Sequence, residues 1–163
     1  MAGTYSLVSG GLTLVPAAGV TLTFVNPAAS PALDLTFRRF WCGQSNNMAS
    51  AQQRVQINTQ VTAFPTLANV GPTKLAVADA ASIISGNTTG AAGTCGVNAS
   101  AEGGTKTIIW ADTFNVVNGW LLVLTPEELI EQCAGATSGL GLHLPVAPGT
   151  LTNWAMGCTW SEQ

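Results

Sequence analysis

Arg54-Val55-Gln56-Ile57-Asn58-Thr59-Gln60-Val61-Thr62 alternates without a break. Successive side chains of an extended chain point to opposite faces, so Val55, Ile57, Thr59 and Val61 share one side while Arg54, Gln56, Asn58 and Gln60 share the other. One apolar and one polar face describe a half-buried antiparallel strand. Working outward, Leu33-Asp34-Leu35-Thr36-Phe37 opens a segment reaching Trp41 with the same rhythm, and Val20-Thr21-Leu22-Thr23-Phe24-Val25 alternates until Asn26-Pro27. Tyr5-Ser6-Leu7-Val8 stops at Gly10-Gly11, and Leu12-Thr13-Leu14-Val15 stops at Pro16. Downstream, Lys106–Trp110, Trp120–Leu124, Leu140–Pro145 and Asn153–Trp160 read as strands. β-Branched and aromatic residues suit the pleated surface, and Gly, Pro and Asn punctuate the turns.

About eight such segments with turn signals between them predict an all-β fold, a jelly-roll-like or Greek-key β-sandwich. Residues 63–106 fit less well. Lys74-Leu75-Ala76-Val77 and Ser82-Ile83-Ile84 are short, and 85–106 is crowded with small and polar residues, so this span reads as a long functional loop. Thr125-Pro126-Glu127-Glu128 carries a helix-start signature of N-cap, Pro at the first position and a capping-box Glu, which predicts at most one short helix near 126–132. With 163 residues and no linker or repeat, the whole chain, 1–163, reads as one β-sandwich domain, with residues 1–15 a candidate N-terminal arm or edge strand.

The composition is apolar to an ordinary degree, 47%, but charged residues make up only 8% and the formal net charge is −3. Typical soluble domains carry roughly 25% charge, so this surface must be largely neutral, and weakly charged surfaces repel one another little. Five Lys and Arg, of which only Arg38 and Arg39 are adjacent, argue against nucleic-acid binding. The most apolar stretch, Val116–Leu124, is under half the roughly 20 residues that a spanning helix needs, so no membrane partner is expected. The opening MAGTYSLVSGG lacks a basic n-region and a long apolar core, and is read as that of a chain made and folded in the cytoplasm. Cys42, Cys95, Cys133 and Cys158 show no CxxC spacing; three disulfide pairings remain open, reduced thiols are the expectation, and no metal or other cofactor is called for.

The search for catalytic groups is short. His143 is the sole histidine, lies between Leu142 and Leu144, and reads as a surface or interface residue because no nucleophile motif accompanies it. Glu127, Glu128 and Glu131 form the one carboxylate cluster, explained by helix capping and dipole effects. The sequons at Asn87 and Asn98 sit in a Thr- and Asn-rich stretch and, with no secretory signal expected, are read as chance matches. No catalytic residue is assigned. Five tryptophans suit a core or a subunit interface better than an exposed sugar-stacking row, and the interface candidates are Tyr5, Leu7, Trp41 and Trp154.

The run Phe114-Asn115-Val116-Val117-Asn118-Gly119-Trp120-Leu121-Leu122-Val123-Leu124-Thr125-Pro126-Glu127-Glu128, with Gly139-Leu140-Gly141-Leu142-His143-Leu144-Pro145 and Leu151-Thr152-Asn153-Trp154-Ala155, resembles small virion-associated proteins encoded among the head genes of tailed bacteriophages. Arg38-Arg39-Phe40-Trp41 and Val61-Thr62-Ala63-Phe64-Pro65-Thr66-Leu67 look similar too. The resemblance covers most of the chain after about residue 33. It implies a capsid decoration, or cement, protein on the capsid exterior, assembled in the host cytoplasm: a homotrimer that clamps the major capsid protein lattice and has no active site. The alternative expectation is a receptor- or glycan-binding β-module of a tail fibre or spike.

Overall fold

The computed structural model describes residues 3–15, 19–29, 31–46, 49–133 and 138–163. In chain order the strands are β1 Thr4–Leu12, β2 Val20–Asn26, β3 Leu35–Gln44, β4 Gln52–Val61, β5 Thr66–Ala68, β6 Thr73–Lys74 and β7 Ser85–Gly86. They continue as β8 Thr94–Ala101, β9 Thr105–Asn115, β10 Trp120–Val123, β11 Ile130–Gln132, β12 Ser138–Leu144 and β13 Trp154–Glu162. Sheet I runs β10-β3-β13-β1-β6, with β11 also on β3, and sheet II runs β5-β8-β2-β12-β4-β9, with β7 on β8. Every pairing is antiparallel except β7 with β8.

The order of the strands identifies the architecture. From β1 to β4 the chain alternates between sheets, crossing at every connection. It lies in sheet II for β8 and β9, then alternates again through β10, β12 and β13. With β8 set aside as an addition from the insertion, the long strands form two sets of four, β10-β3-β13-β1 and β2-β12-β4-β9, which is the double Greek key of a jelly roll. The β-sandwich expected from the alternating segments is present.

Between the sheets lies one core. Leu7, Phe37, Phe40, Met156 and Cys158 of sheet I meet Val20, Leu22, Val55, Ile57, Leu140 and Leu142 of sheet II. Tyr5, Phe37 and Phe40 gather around Trp160, with ring centroids 6.2 Å apart for Tyr5–Trp160, 6.1 Å for Phe37–Trp160 and 5.5 Å for Phe37–Phe40. The polar ends of the rings are satisfied: Tyr5 Oη donates to Ala80 O at 3.1 Å and Trp154 Nε1 to Thr150 O at 2.9 Å. This overturns three of the interface candidates. Tyr5, Leu7 and Trp154 are 1%, 0% and 0% exposed, buried in their own core rather than available to another molecule.

Two further expectations change and a third is narrowed. Residues 63–106 are not a bare loop: β8 lies inside sheet II against β2. Its sequence TCGVNASA is small because the chain passes close to it, and a Cβ on Gly96 would stand 2.8 Å from Ala68 O and Leu67 Cβ. The segment after Leu124 makes a single turn, with Glu128 N donating to Thr125 O at 3.0 Å, and then pairs with β3 as β11; among the described residues there is no helix. A helix of two turns is marginal by itself, and the edge of β3 offers Ile130 to Gln132 a ladder instead. Finally, of the arm or edge strand expected for residues 1–15, β1 takes the second form. It pairs with β13 along its length, while β6 covers its other edge only at Tyr5 and Ser6.

The 62–104 insertion does one more thing. Phe24 points away from the main core and packs with Phe64, Leu67 and Ala99 in a small second core on the outer face of sheet II. A methyl group at Gly139 would overlap the Phe24 ring, so that glycine is what lets the ring lie across β12. Asn26 Nδ2 donates to Gly90 O at 2.9 Å, and Gln60 Nε2 to Ala63 O at 3.0 Å and to Gly103 O. Sheet II thereby has its outer face covered by its own chain over β2, β8 and β12, while β9 stays exposed.

Candidate interaction surface

Sheet I has no such cover. Along β3, Phe40 and Cys42 turn inward, so Arg39 and Trp41 turn outward, and a bulge opposite Thr159 and Trp160 of β13 falls at Arg38. Register then fixes what surrounds them. Leu121 pairs with Trp41, Trp41 with Gly157 and Gly157 with Val8, one row across four strands. Val123, Arg39, Thr159 and Ser6 form the row beside it. Directly opposed residues point to the same side, so these rows are the outer face of sheet I.

That face is apolar and open. Leu121 is 62% exposed, Val123 57%, Val8 52% and Leu75, beside β6, 58%. Trp41 is half-buried because its ring sits on Gly157, where a side-chain carbon would collide with it. A shallow groove with a cavity volume of about 420 Å³ runs over Ser6 and Thr159 between Trp41, Arg39, Val123 and Leu129. Contiguous exposed apolar surface of this kind marks a place of contact.

Charge is arranged around it. Arg38 and Arg39 are exposed; Arg38 Nε donates to Ser161 Oγ at 2.7 Å, and neither makes an ion pair among the described residues. Next to them, Pro126 and Leu129 line the groove and the exposed Glu127 and Glu128 sit in the turn between. Glu128 Oε2 accepts from Thr125 Oγ1 at 3.3 Å. Glu131 pairs in register with Thr36 and so lies on the same outer face. The expected helix-cap carboxylates are instead an exposed acidic turn beside an arginine pair.

Trp41 is the one interface candidate of the four that the structure places on this surface. Arg39, Leu121 and Val123 belong there too, beyond the residues that the sequence singles out. A signal for them is present: Trp120-Leu121-Leu122-Val123 is apolar on both faces, which a strand at a sheet edge has no internal reason to be.

The other candidates lie elsewhere. His143 is 7% exposed, not a surface residue, because a bulge at β2 and the neighbouring glycines let it sink beneath the 102–106 segment. Glu102 holds it there: its Oε1 accepts from Thr21 N at 2.5 Å, its Oε2 from Thr21 Oγ1 at 2.7 Å and from Lys106 Nζ at 2.8 Å, with His143 Nδ1 3.9 Å away. Burial, with Lys106 adding to it and Glu102 opposing, holds the imidazole below its ordinary pKa. Thr21 is 1% exposed, so this Thr-His-Glu group is a buried strut joining β2, β12 and the β8–β9 turn. All four cysteines are free; Cys42, Cys95 and Cys158 are buried and Cys133 is exposed. Asn98 is part of the fold, its Nδ2 donating to Thr13 O at 2.9 Å. Among the described residues no cluster of His, Cys, Asp and Glu has the make-up of a metal site, and no helix is long and apolar enough to cross a membrane.

No family model matches this chain, and no curated protein matches it. Among solved structures, a chain of the KBV activated particle at acidic pH aligns with 99% of this chain and 68% of its own, at 12% identity and a TM-score of 0.22. At that score the likeness establishes neither a shared fold nor a shared role.

Proposed function

We propose that this chain is a structural protein of a virion, a jelly-roll subunit that works by burying the outer face of sheet I against other protein. The single observation that carries the reading is the uncovered apolar row on sheet I: Val8, Trp41, Leu121 and Val123 have nothing over them, whereas the chain's own insertion covers sheet II over β2, β8 and β12. A surface this poor in charge adds little desolvation penalty to such a contact. In its finer form, supported by the resemblance in residues 114–128, 139–145 and 151–155, the role is capsid decoration: a non-enzymatic oligomer, a trimer in that family pattern, on the exterior of a tailed phage head, clamping the major capsid protein lattice.

The test is direct. Purified full-length protein is mixed with undecorated shells and with glycan arrays, and its copy number in native particles is measured by densitometry. Binding to shells with many copies per particle supports the reading; absence from particles together with turnover of a substrate sinks it. A second reading, a glycan-binding module, draws on Trp41 standing beside Arg39 at the groove, since an aromatic ring next to a hydrogen-bonding cation suits a sugar. Specific binding on the array that Trp41→Ala abolishes would favour it.

A further inference from the structure

We propose that the outer face of sheet I receives an extended segment of a partner protein that carries one carboxylate and, four residues along, an apolar side chain. The carboxylate sits on Arg39, the chain crosses Trp41, and the apolar group rests between Leu121 and Ala155. This rests on the reading above that the outer face of sheet I is an association surface, and it names the chemistry that surface takes.

The bulge in β3 makes the anion site. Consecutive strand residues alternate between faces, yet Arg38 and Arg39 both stand on the outer one. Arg38 Nε donates to Ser161 Oγ at 2.7 Å, Arg39 is paired with Thr159, and those two hydroxyl residues flank the inward Trp160. Arg38 is thus partly engaged. Arg39 donates no hydrogen bond among the described residues, where the ion pairs are those of Glu102 with Lys106 and His143. Besides the two guanidiniums, the polar side chains lining the groove are the hydroxyls of Thr4, Ser6 and Thr159, with no amide or carboxylate among them. A guanidinium only donates, so the matching group is an acceptor, and a planar carboxylate fits its fork. Sugar hydroxyls must donate as well as accept, and this lining gives them few acceptors.

The surroundings limit the partner to a single charge and set its course. Leu124 N donates to Arg38 O at 2.9 Å and Ile130 pairs with Phe37, so the turn with the exposed Glu127 and Glu128 lies on the Arg38 side of the groove, as does Glu131. A polyanion laid along this face would meet those three carboxylates. One carboxylate on Arg39, farther from the turn, avoids them, and the chain behind it leads the other way, towards Trp41. There the surface is uncharged. Trp41 borders both the groove and a second shallow depression, of about 340 Å³, that it shares with Gly43, Leu121 and Ala155. Arg39, Trp41 and Gly43 stand on one face of β3, and the first and last are about 13 Å apart at the usual strand rise. An extended segment lying along β3 has the same rise, so the residue four places from its carboxylate reaches the depression.

The probe is a blocked five-residue peptide with glutamate first, leucine fifth and alanine between. It is titrated, alongside the reversed sequence, into isotope-labelled full-length protein to about 10 mM, a range that detects millimolar binding by NMR. One of the two peptides should shift the signals of Arg39, Trp41 and Leu121 and leave those of β9 in place. Glutamine in place of the peptide's glutamate should weaken binding roughly ten-fold, the loss expected for a charged hydrogen bond, and so should Arg39→Gln, with an unchanged thermal midpoint. Arg38→Gln should cost less. Leu121→Ser should weaken binding whether or not salt is high, whereas the contribution of the glutamate fades as salt rises. The proposal is overturned if neither peptide shifts the groove, if the glutamine peptide binds as well, or if a sialoside or a single-stranded oligonucleotide shifts these signals and the peptides do not. Particle content is a separate matter: multi-copy incorporation of a chain whose groove ignores both peptides removes this inference alone, and peptide binding by a chain absent from particles removes the proposed function alone.

Discussion

On each sheet a neighbour's ring fills the place of a glycine's side chain. Gly157 lies under Trp41 on sheet I and Gly139 under Phe24 on sheet II. Gly157→Ala therefore drives its methyl into the indole and should destabilise the fold by about 1–3 kcal/mol, the usual range for overpacking. Combining it with Trp41→Ala should recover most of that loss in urea titrations, because the obstruction is the ring and not the backbone. His143 gives a second prediction. Its folded pKa is held below the ordinary 6.5 by burial first, so the neutral ring is the native form. Above 6.5 neither state binds the proton. As pH falls through 6.5 the unfolded chain takes it up while the folded chain resists, so stability drops until the lowered folded pKa is reached and then levels off. Thermal midpoints should decline from pH 7 towards pH 5, and His143→Gln should flatten that portion of the curve. None of this is legible from position 143 alone, since alternation places the side chain opposite the leucines and cannot say that Glu102 roofs it over.

At the scale of the element, the open edge of β9 stands out. Among the described residues Thr105–Asn115 pairs only with β4, its pattern is exposed almost throughout, and Ile108 and Ile109 are 54% and 44% exposed. A long edge with unpaired backbone groups is a template for another strand, and here a bulge at Ile109 is the main device that interrupts it. Ile108→Lys should slow aggregation at high protein concentration, measured by light scattering, with a change in stability within about 0.5 kcal/mol. If it instead abolishes shell binding, this edge is the lattice contact. The elements also show where reading by period succeeds and fails. β4, β2 and β12 are plain because Val, Ile and Leu alternate against polar or small residues. β8 is hidden because TCGVNASA contains a single large apolar residue, Val97, and its place inside sheet II depends on a close backbone approach rather than on side-chain volume. The cap signature at Thr125 does start a turn, but β3 claims the residues after it.

The whole molecule is a sandwich with three of its thiols in the core, and those thiols report on how firmly the sheets are held together. Burial pushes Cys42 and Cys95 up to about 12 and raises Cys158 as well, while Cys133 is exposed. The thiolate is the reactive form, so the folded protein should label quickly with a maleimide at Cys133 only, and the other three should follow at the rate of global unfolding. Rapid labelling of several cysteines in the native state would mean that the two sheets separate far more readily than their packing implies. Replacing Cys133 with Ser leaves a chain in which the remaining signal measures opening of the core alone.

By itself the sequence determined the fold class, since the two-residue period of Val55 to Val61 and its companions leaves each strand with one face that must be covered, and two sheets facing one another cover it. It also determined that the surface would be nearly neutral. Which apolar residues ended inside and which stayed out was decided only in three dimensions: Tyr5, Leu7 and Trp154 are as apolar as Val8, Leu121 and Trp41, and the difference between them is strand register and the path of the 62–104 insertion. Period reports that a side chain belongs to one face or the other; only the packing of distant segments says which of those faces another part of the chain will meet.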